Sequence, residues 1–543
     1  MQLSPFSVTL LVLALPTLPA AVSGQCPVQR VTGETMTGLD GFGSVVVLSG
    51  DYALVSDPRD DLGATGVLTG PGAVYAYEKS GGTWTQVQKL AASDGAGLDF
   101  FGDAVSSSGS TAAIGAPSHG LVSIGAGAVY VFDRDGSGVW SETTKLSAVD
   151  ADPFDSFGSS VSSDAGRIAA GAPFDSEAAS LAGAAYLFEL SGGSWSQAAK
   201  LTAPDGAGSD LFGSAVGLSG ATCAVGAPSD DDVGLSSGSV SVFEDSGSGY
   251  AFTAKLVASD GAGSDFFGSS LAVLPDRIVV GAPNKKVGGS IQAGSVYVFD
   301  RNGSSWSETA VLRPADVKAS DKFGTSLELS DTGDRLVVGA PGGGATGSGS
   351  AYVYDFSGSS WSQTLEVPLD AFTSAPNEFG RTVSFEGDDL LVGSSEFEDV
   401  AAWFLSLTGQ NCDDLIAIGD SFSIADGGTQ YFSLNQGTPA AGDFYLLIGS
   451  VSGTRPGTPT GAGILPLNVD GYTLSTIANP NSFPLTNSFA TFSSLGSSFA
   501  EFSLTPGFDL TLIGVTAHHS YLRISPLGEF LALSKAVPVE LLP

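Results

Sequence analysis

KLTAPDGAGSDLFG, residues 200–213, returns along the chain with small changes. The Phe-Gly pair that closes it stands at Phe42-Gly43, Phe101-Gly102, Phe157-Gly158, Phe212-Gly213, Phe267-Gly268, Phe323-Gly324 and Phe379-Gly380. Successive phenylalanines are 59, 56, 55, 55, 56 and 56 residues apart. So steady a period marks a repeat architecture. Within the repeat that starts at Phe212, Gly213 to Leu218 reads as strand A and Ala221 to Pro228 as strand B. Gly238 to Glu244 alternates strictly and reads as strand C. A Gly-rich turn at Gly247 to Gly249 leads to strand D, Tyr250 to Leu256. Four short antiparallel strands per repeat predict one blade of a β-propeller, and seven repeats predict seven blades.

The recurring residues have physical roles. Gly after Phe permits a positive φ and close approach, while Phe fills the gap between sheets. Gly-Ala-Pro closes strand B at Gly115–Pro117, Gly171–Pro173, Gly226–Pro228, Gly281–Pro283 and Gly339–Pro341, because Pro has no N–H for the ladder. The terminal repeats degrade it to Ser56-Asp57-Pro58 and Gly393-Ser394-Ser395. Strand D opens on Trp84, Trp140, Trp195, Trp306 and Trp361, whose recurrence in place predicts packing between blades.

These pairs, with VYVF-type strands such as Val129–Phe132 and Val296–Phe299, resemble the FG-GAP repeats of the integrin α-subunit propeller head and of many bacterial exported proteins. The resemblance covers about residues 26 to 410. It implies that the loops of one rim contact a partner. The DxDxDG calcium loop of the integrin type, expected between strands A and B, is missing. Those positions read Ser106–Ser110, Ser163–Gly166 and Ser330–Asp334, so no calcium site carries over, and Asp331 and Asp334 read as a hairpin turn.

The seventh repeat lacks a strand D after Val400–Leu407. Cys26–Val31 resembles Gln86–Leu90, so the N-terminal segment is expected to complete blade seven. That would bring Cys26 near Cys412, and a disulfide clamping the ring is expected. Cys223, inside an apolar strand, reads as a buried thiol.

The chain has 543 residues, with 21 Lys and Arg against 57 Asp and Glu, a net charge of −36. That balance excludes nucleic acid and anionic membrane surfaces as partners. It leaves a protein or polysaccharide partner. D-to-A and B-to-C loops emerge on one face. They carry Asp94, Asp99, Asp150, Asp155, Asp205, Asp210, Asp260, Asp265, Asp316 and Asp321, then Asp57, Asp60, Asp61, Asp175, Glu177 and Asp230–Asp232, with Lys285 and Lys286 as the exception. The acid two residues before Phe becomes Asn377 in the last repeat, which keeps the acceptor and drops the charge. Turn capping therefore suffices there. Asp230, Asp231 and Asp232 are the better candidates for a cation such as Ca²⁺ or a basic partner. No cofactor is otherwise implied.

Val8 to Leu18 is an apolar run followed by Val22-Ser23-Gly24, which predicts an export signal over residues 1–24 and a secreted or cell-surface protein. The run is too short for a permanent anchor. The expected division is a propeller over 25–412 and a smaller β-sandwich-like domain over 413–543. Parts of the latter, such as Gly427–Gly437 and Leu446–Pro459, resemble a module of planctomycete-type exported proteins. Gly419–Ser423 resembles the nucleophile block of GDS-type esterases, with Ser421 as nucleophile. The Asp-x-x-His block is missing, since Thr516-Ala517 precedes His518 and His519. The favoured reading is a non-enzymatic binding or adhesion protein. An esterase and a structural module of a surface layer are the alternatives.

Overall fold

A computed structural model describes residues 27–33, 41–60, 70–120, 125–344, 347–368, 378–394 and 400–407, together with the backbone of short strands between 415 and 542. The signal segment, Cys26, Cys412, Asp40, Asp61, Asn377, Gly419 and Asp420 lie outside these residues. Among the described residues every regular element is a strand. Among the described residues no helix is long and apolar enough to cross a membrane.

Seven four-stranded antiparallel sheets form the repeat region. Blade four runs through Ala215–Ser219, Thr222–Ala227, Ser239–Asp245 and Tyr250–Leu256, within two residues of each sequence-derived boundary. Blades one, two, three, five and six occupy 46–90, 104–146, 160–201, 270–312 and 326–368. Blade seven takes Thr382–Glu386, Asp389–Ser394 and Ala401–Ser406 from the end of the array and Pro27–Val31 from its start.

The borrowed strand imitates the six native outer strands in detail. In every blade the register between strands C and D slips once. Thr143, Thr253, Thr309 and Thr364 fill the extra position and donate a hydroxyl back to a strand C carbonyl at 3.2–3.3 Å. The same slip falls between Pro27 and Gln29. Gln29 bridges the next blade through Trp84, accepting from its N–H at 2.9 Å and donating to its carbonyl at 2.6 Å. Gln88 makes the same pair with Trp140. Arg30 lies over the Trp403 ring as Lys89 lies over Tyr75. A two-residue match in the sequence thus extends to a bulge, an amide bridge and a cation–π contact.

The core is distributed rather than central. Seven apolar clusters each straddle two neighbouring blades. The cluster that joins the ends holds Phe42, Tyr75 and Trp84 of blade one against Leu391, Val400 and Phe404 of blade seven, with Val31 packed on it. Trp84 stacks on Phe404 at 4.6 Å between centroids, so this tryptophan packs between blades as its recurrence predicts. Cys223 is fully buried, as expected, and burial pushes its thiol up to about 12.

Strands of the 413–543 part form a three-stranded sheet and a larger one. Most pairs are antiparallel. Ser421–Ser423 departs from that pattern by pairing parallel with Val537–Leu542.

The inner strands enclose an axial channel of about 1090 Å³. The fifth position after each Phe points at the next blade there. Ser162 and Ser384 accept the N–H of Leu218 and Leu48 at 3.0 and 2.9 Å, and Ser106 that of Ser163 at 2.9 Å. Blade six places Glu328 in this position. Burial, then Asp331 and Glu386, push its carboxyl up to about 8 from an ordinary 4.5. The folded protein therefore keeps a proton that the unfolded chain releases between those two values. Stability falls as pH rises through this window, and the cost is complete above about 8. Glu328→Gln should leave stability at pH 4 unchanged and raise it by about 1 to 3 kcal/mol at pH 9, the full shift being discounted for channel water. Urea denaturation at both pH values reads this out; equal effects at the two would refute it.

Candidate binding face

Each D-to-A loop folds over the blade it enters and meets that blade's B-to-C loop. The aspartate two residues before Phe organises the turn. Its Oδ2 accepts the N–H three residues earlier at 2.6–2.7 Å in Asp99, Asp155, Asp210, Asp265 and Asp321. These five carboxylates are buried turn caps, in agreement with the substitution by Asn377 in the last repeat.

Both residues flanking this aspartate lie in the left-handed region. The pairs are Leu98 and Phe100, Phe154 and Ser156, Ser209 and Leu211, Ser264 and Phe266, and Ser320 and Lys322. The backbone is pinned there by cross-blade bonds. Leu98 N–H reaches the Gly70 carbonyl at 3.0 Å, and Ser209, Ser264 and Ser320 repeat the contact. Side chains at the position before Asp are consequently thrown outward, whatever their polarity.

A second layer of charge holds the two loops together. In blade three, Lys200 Nζ donates to Asp150 and Glu177 at 2.6 Å and to Asp175 at 2.9 Å, over the Tyr186 ring. In blade four, Lys255 meets Asp205 and Asp230 at 2.8 Å, and also Asp232. Burial opposes the charge on each lysine, but three carboxylates outweigh it and raise both ammonium pKa values above the ordinary 10.5. Burial likewise works to raise the Asp230 carboxyl. Lys255, the N–H of Asp232 and the Ser239 hydroxyl outweigh it and hold the group below the usual carboxylate range. Three acids around one base leave each of these blades negative.

The other blades vary the same arrangement. In blade two His119 replaces the buried aspartate. Its Nδ1 lies 2.8 Å from Asp99 Oδ2 and its Nε2 lies 3.1 Å from Lys145 Nζ. An ammonium only donates, so Nε2 accepts and Nδ1 carries the proton. Blade five exchanges the charges. Val311 stands where the outer-strand lysine would be, and Lys285 stands where the buried aspartate would be. Lys285 Nζ reaches Asp265 Oδ2 at 2.8 Å, and Arg313 pairs with Asp260 at 3.0 Å. Blade six gathers Asp316, Asp321 and Glu366 around Lys318, and burial pushes Asp321 up to about 6.

Asp230, Asp231 and Asp232 are therefore brought to this face but already engaged. Asp230 and Asp232 clasp Lys255, while Asp231 accepts the N–H of Ser236 at 2.7 Å. The ammonium sits where a cation would sit. Among the described residues no group of three or more His, Cys, Asp and Glu side chains is arranged to hold a metal ion. Asp331 and Asp334 belong to the hairpin turn expected of them, closed by Gly333 N–H to the Ser330 carbonyl at 2.8 Å. Ser421 is set by strand register beside Glu540 and not beside a histidine.

The same face gathers exposed apolar side chains. Among the described residues twelve large apolar side chains are exposed, and eight are on these loops: Leu98, Val149, Phe154, Phe174, Leu181, Val233, Leu235 and Ile291. They fall between the entries to blades two and five. Sequence reading saw the acids and missed both the lysines that bind them and the apolar arc. The lysines were visible as Lys89, Lys145, Lys200 and Lys255, spaced by one repeat.

Five stretches match the FG-GAP repeat family, residues 84–132, 140–188, 195–243, 250–299 and 306–354. Each match begins at strand D of one blade and ends in strand C of the next. The sequence repeat is thus offset from the blade by one strand, and the offset is what leaves Pro27–Val31 to complete blade seven. No curated protein matches the chain.

Lys255→Ala would leave Asp230 buried without its partner and should cost about 2 to 4 kcal/mol at pH 7. The depressed carboxyl contributes stability above the ordinary carboxylate pKa and loses it as pH falls through the folded value. The deficit of the variant should accordingly shrink on acidification, as measured by denaturant unfolding at pH 7 and pH 3.

Proposed function

We propose that the protein is an exported, non-enzymatic binding or adhesion module whose partner, a protein or polysaccharide at a cell surface, meets the face built from the D-to-A and B-to-C loops. FG-GAP propellers suit binding, adhesion or structural roles, and five repeats of that family are present. The observation that carries the reading is the placement on that face of eight of the twelve large apolar side chains exposed among the described residues. The other end of the ring is made of short A-to-B and C-to-D turns, such as Gly247–Gly249, where Val139 is the exposed large apolar side chain of a turn. Rigidity supports the reading as well. Among the described residues the D-to-A loops of blades two to six are tied to the preceding blade by backbone bonds, so little order is lost there on contact.

Bulky labels on single cysteines test the choice of face. A polyethylene-glycol maleimide on Ala178→Cys, in a B-to-C loop, should abolish retention of the protein by washed cells of the producing strain. The same label on Ser248→Cys, in a C-to-D turn, should leave retention at the level of the labelled parent. Blocking by the second label alone, or by neither, would overturn the proposal.

A further inference from the structure

We infer that the arc of the loop face from blade two to blade five docks a basic, amphipathic polypeptide segment of another protein. The inference rests on the face proposed above and adds the sector and the chemistry of the partner.

The first observation is local conflict. Leu98, Phe154 and Leu181 have φ of 69°, 71° and 57°, a region that costs a branched or bulky residue free energy, and their side chains are exposed. The sister repeats place polar residues on the same backbone. Ser209, Ser264 and Ser320 stand at the position of Leu98 and Phe154, and Ser236 and Gln292 at that of Leu181. Any residue with a Cβ is strained on this backbone, and the apolar ones add exposure to that cost. Leu235 at 73% exposure and Ile291 at 60% continue the arc on the adjacent blades.

The second observation is charge. Glu177 and Asp232 flank these residues with side chains 71% and 59% exposed, and the lysine beneath each is shared with two further carboxylates. A partner for this arc therefore carries cations beside its apolar groups. A second copy of the chain, with its own net charge of −36, is repelled. The arc is mostly aliphatic, which fits side chains better than the sugar faces that aromatic rings stack upon.

Fluorescence anisotropy on the full mature chain tests this with three labelled synthetic probes: an amphipathic Leu/Lys peptide, an oligolysine of equal charge and a Leu/Glu peptide. The Leu/Lys peptide should bind at least about tenfold more tightly than oligolysine, and the Leu/Glu peptide should not bind. The triple variant Leu98→Ser, Phe154→Ser and Leu181→Ser uses residues that sister repeats already place on the same backbone. It should keep or raise the melting temperature and lose about tenfold in Leu/Lys affinity. Val87→Ser, an exposed outer-strand control, should change nothing. Equal binding of oligolysine, an unaffected triple variant, or binding of the Leu/Glu peptide would overturn the inference. A hydrogen-exchange footprint separates the two levels. Protection on the loops with any of those outcomes retains the face and rejects this partner, whereas protection on the A-to-B and C-to-D turns rejects both.

Discussion

The ring depends on a stitch made where Phe-Gly of one blade meets the preceding blade. The Phe N–H donates to a backbone carbonyl of that blade at 2.8–3.2 Å, from Phe101 to Pro71, Phe157 to Ala126, Phe212 to Ala182, Phe267 to Ser237, Phe323 to Ala293 and Phe379 to Ser348. The phenyl ring then drops into the seam, edge-on to a strand C aromatic ring such as Tyr130 or Tyr297. Next to it, two glycines make the approach possible. A Cβ on Gly171 would lie 1.9 Å from the carbonyl oxygen of Gly213, and one on Gly393 would lie 2.1 Å from that of Gly43. No side chain can be accommodated at such distances, and the second contact is the one that closes the circle. Blade spacing is set by backbone against backbone, which explains why the repeat tolerates wide variation elsewhere and little here.

Because the scaffold is fixed by that contact, the loops are free to carry charge. Each buried aspartate on the loop face is either a cap for its own turn or half of an ion pair. The exchange in blade five shows the constraint at work: when the outer-strand lysine becomes Val311, the buried acid becomes Lys285, and the seam keeps an ammonium next to a capping aspartate. Blade six follows the rule least. Glu366 takes the lysine position and Lys318 enters from the loop instead, so burial raises Asp321 and, together with Asp316, Glu366. What blades two to six share is at least one cation over the turn, not its position in the sequence.

Much of this was legible in the chain itself. The period, the four strands, the capping role of Asp99 and its equivalents, the burial of Cys223 and the borrowed outer strand all follow from spacing and residue type, since each is a local or periodic property. What stayed hidden is tertiary. Lys200 and Asp150 are 50 residues apart and belong to different repeats, so the pair that quenches much of the apparent acidity appears only when a loop folds over its blade. The left-handed backbone at Leu98 and Phe154 was hidden for another reason. Aligned against Ser209 and Ser264, those residues look like ordinary variation, and only the fold reveals that the apolar side chains there are turned outward.

That contrast bears on how a repeat protein acquires a contact surface. A propeller whose blades are locked together through Gly-to-carbonyl contacts distributes its stability over seven seams. Strain of order 1 kcal/mol at a few loop positions is small against so many buried clusters. It can therefore persist where a lone hairpin would shed it. The loops nearest the closing seam, by contrast, have degenerate motifs: Ser56 replaces the glycine of strand B in blade one, and Trp403 replaces the recurrent tyrosine in blade seven. The specialised arc lies away from this junction, on blades two to five.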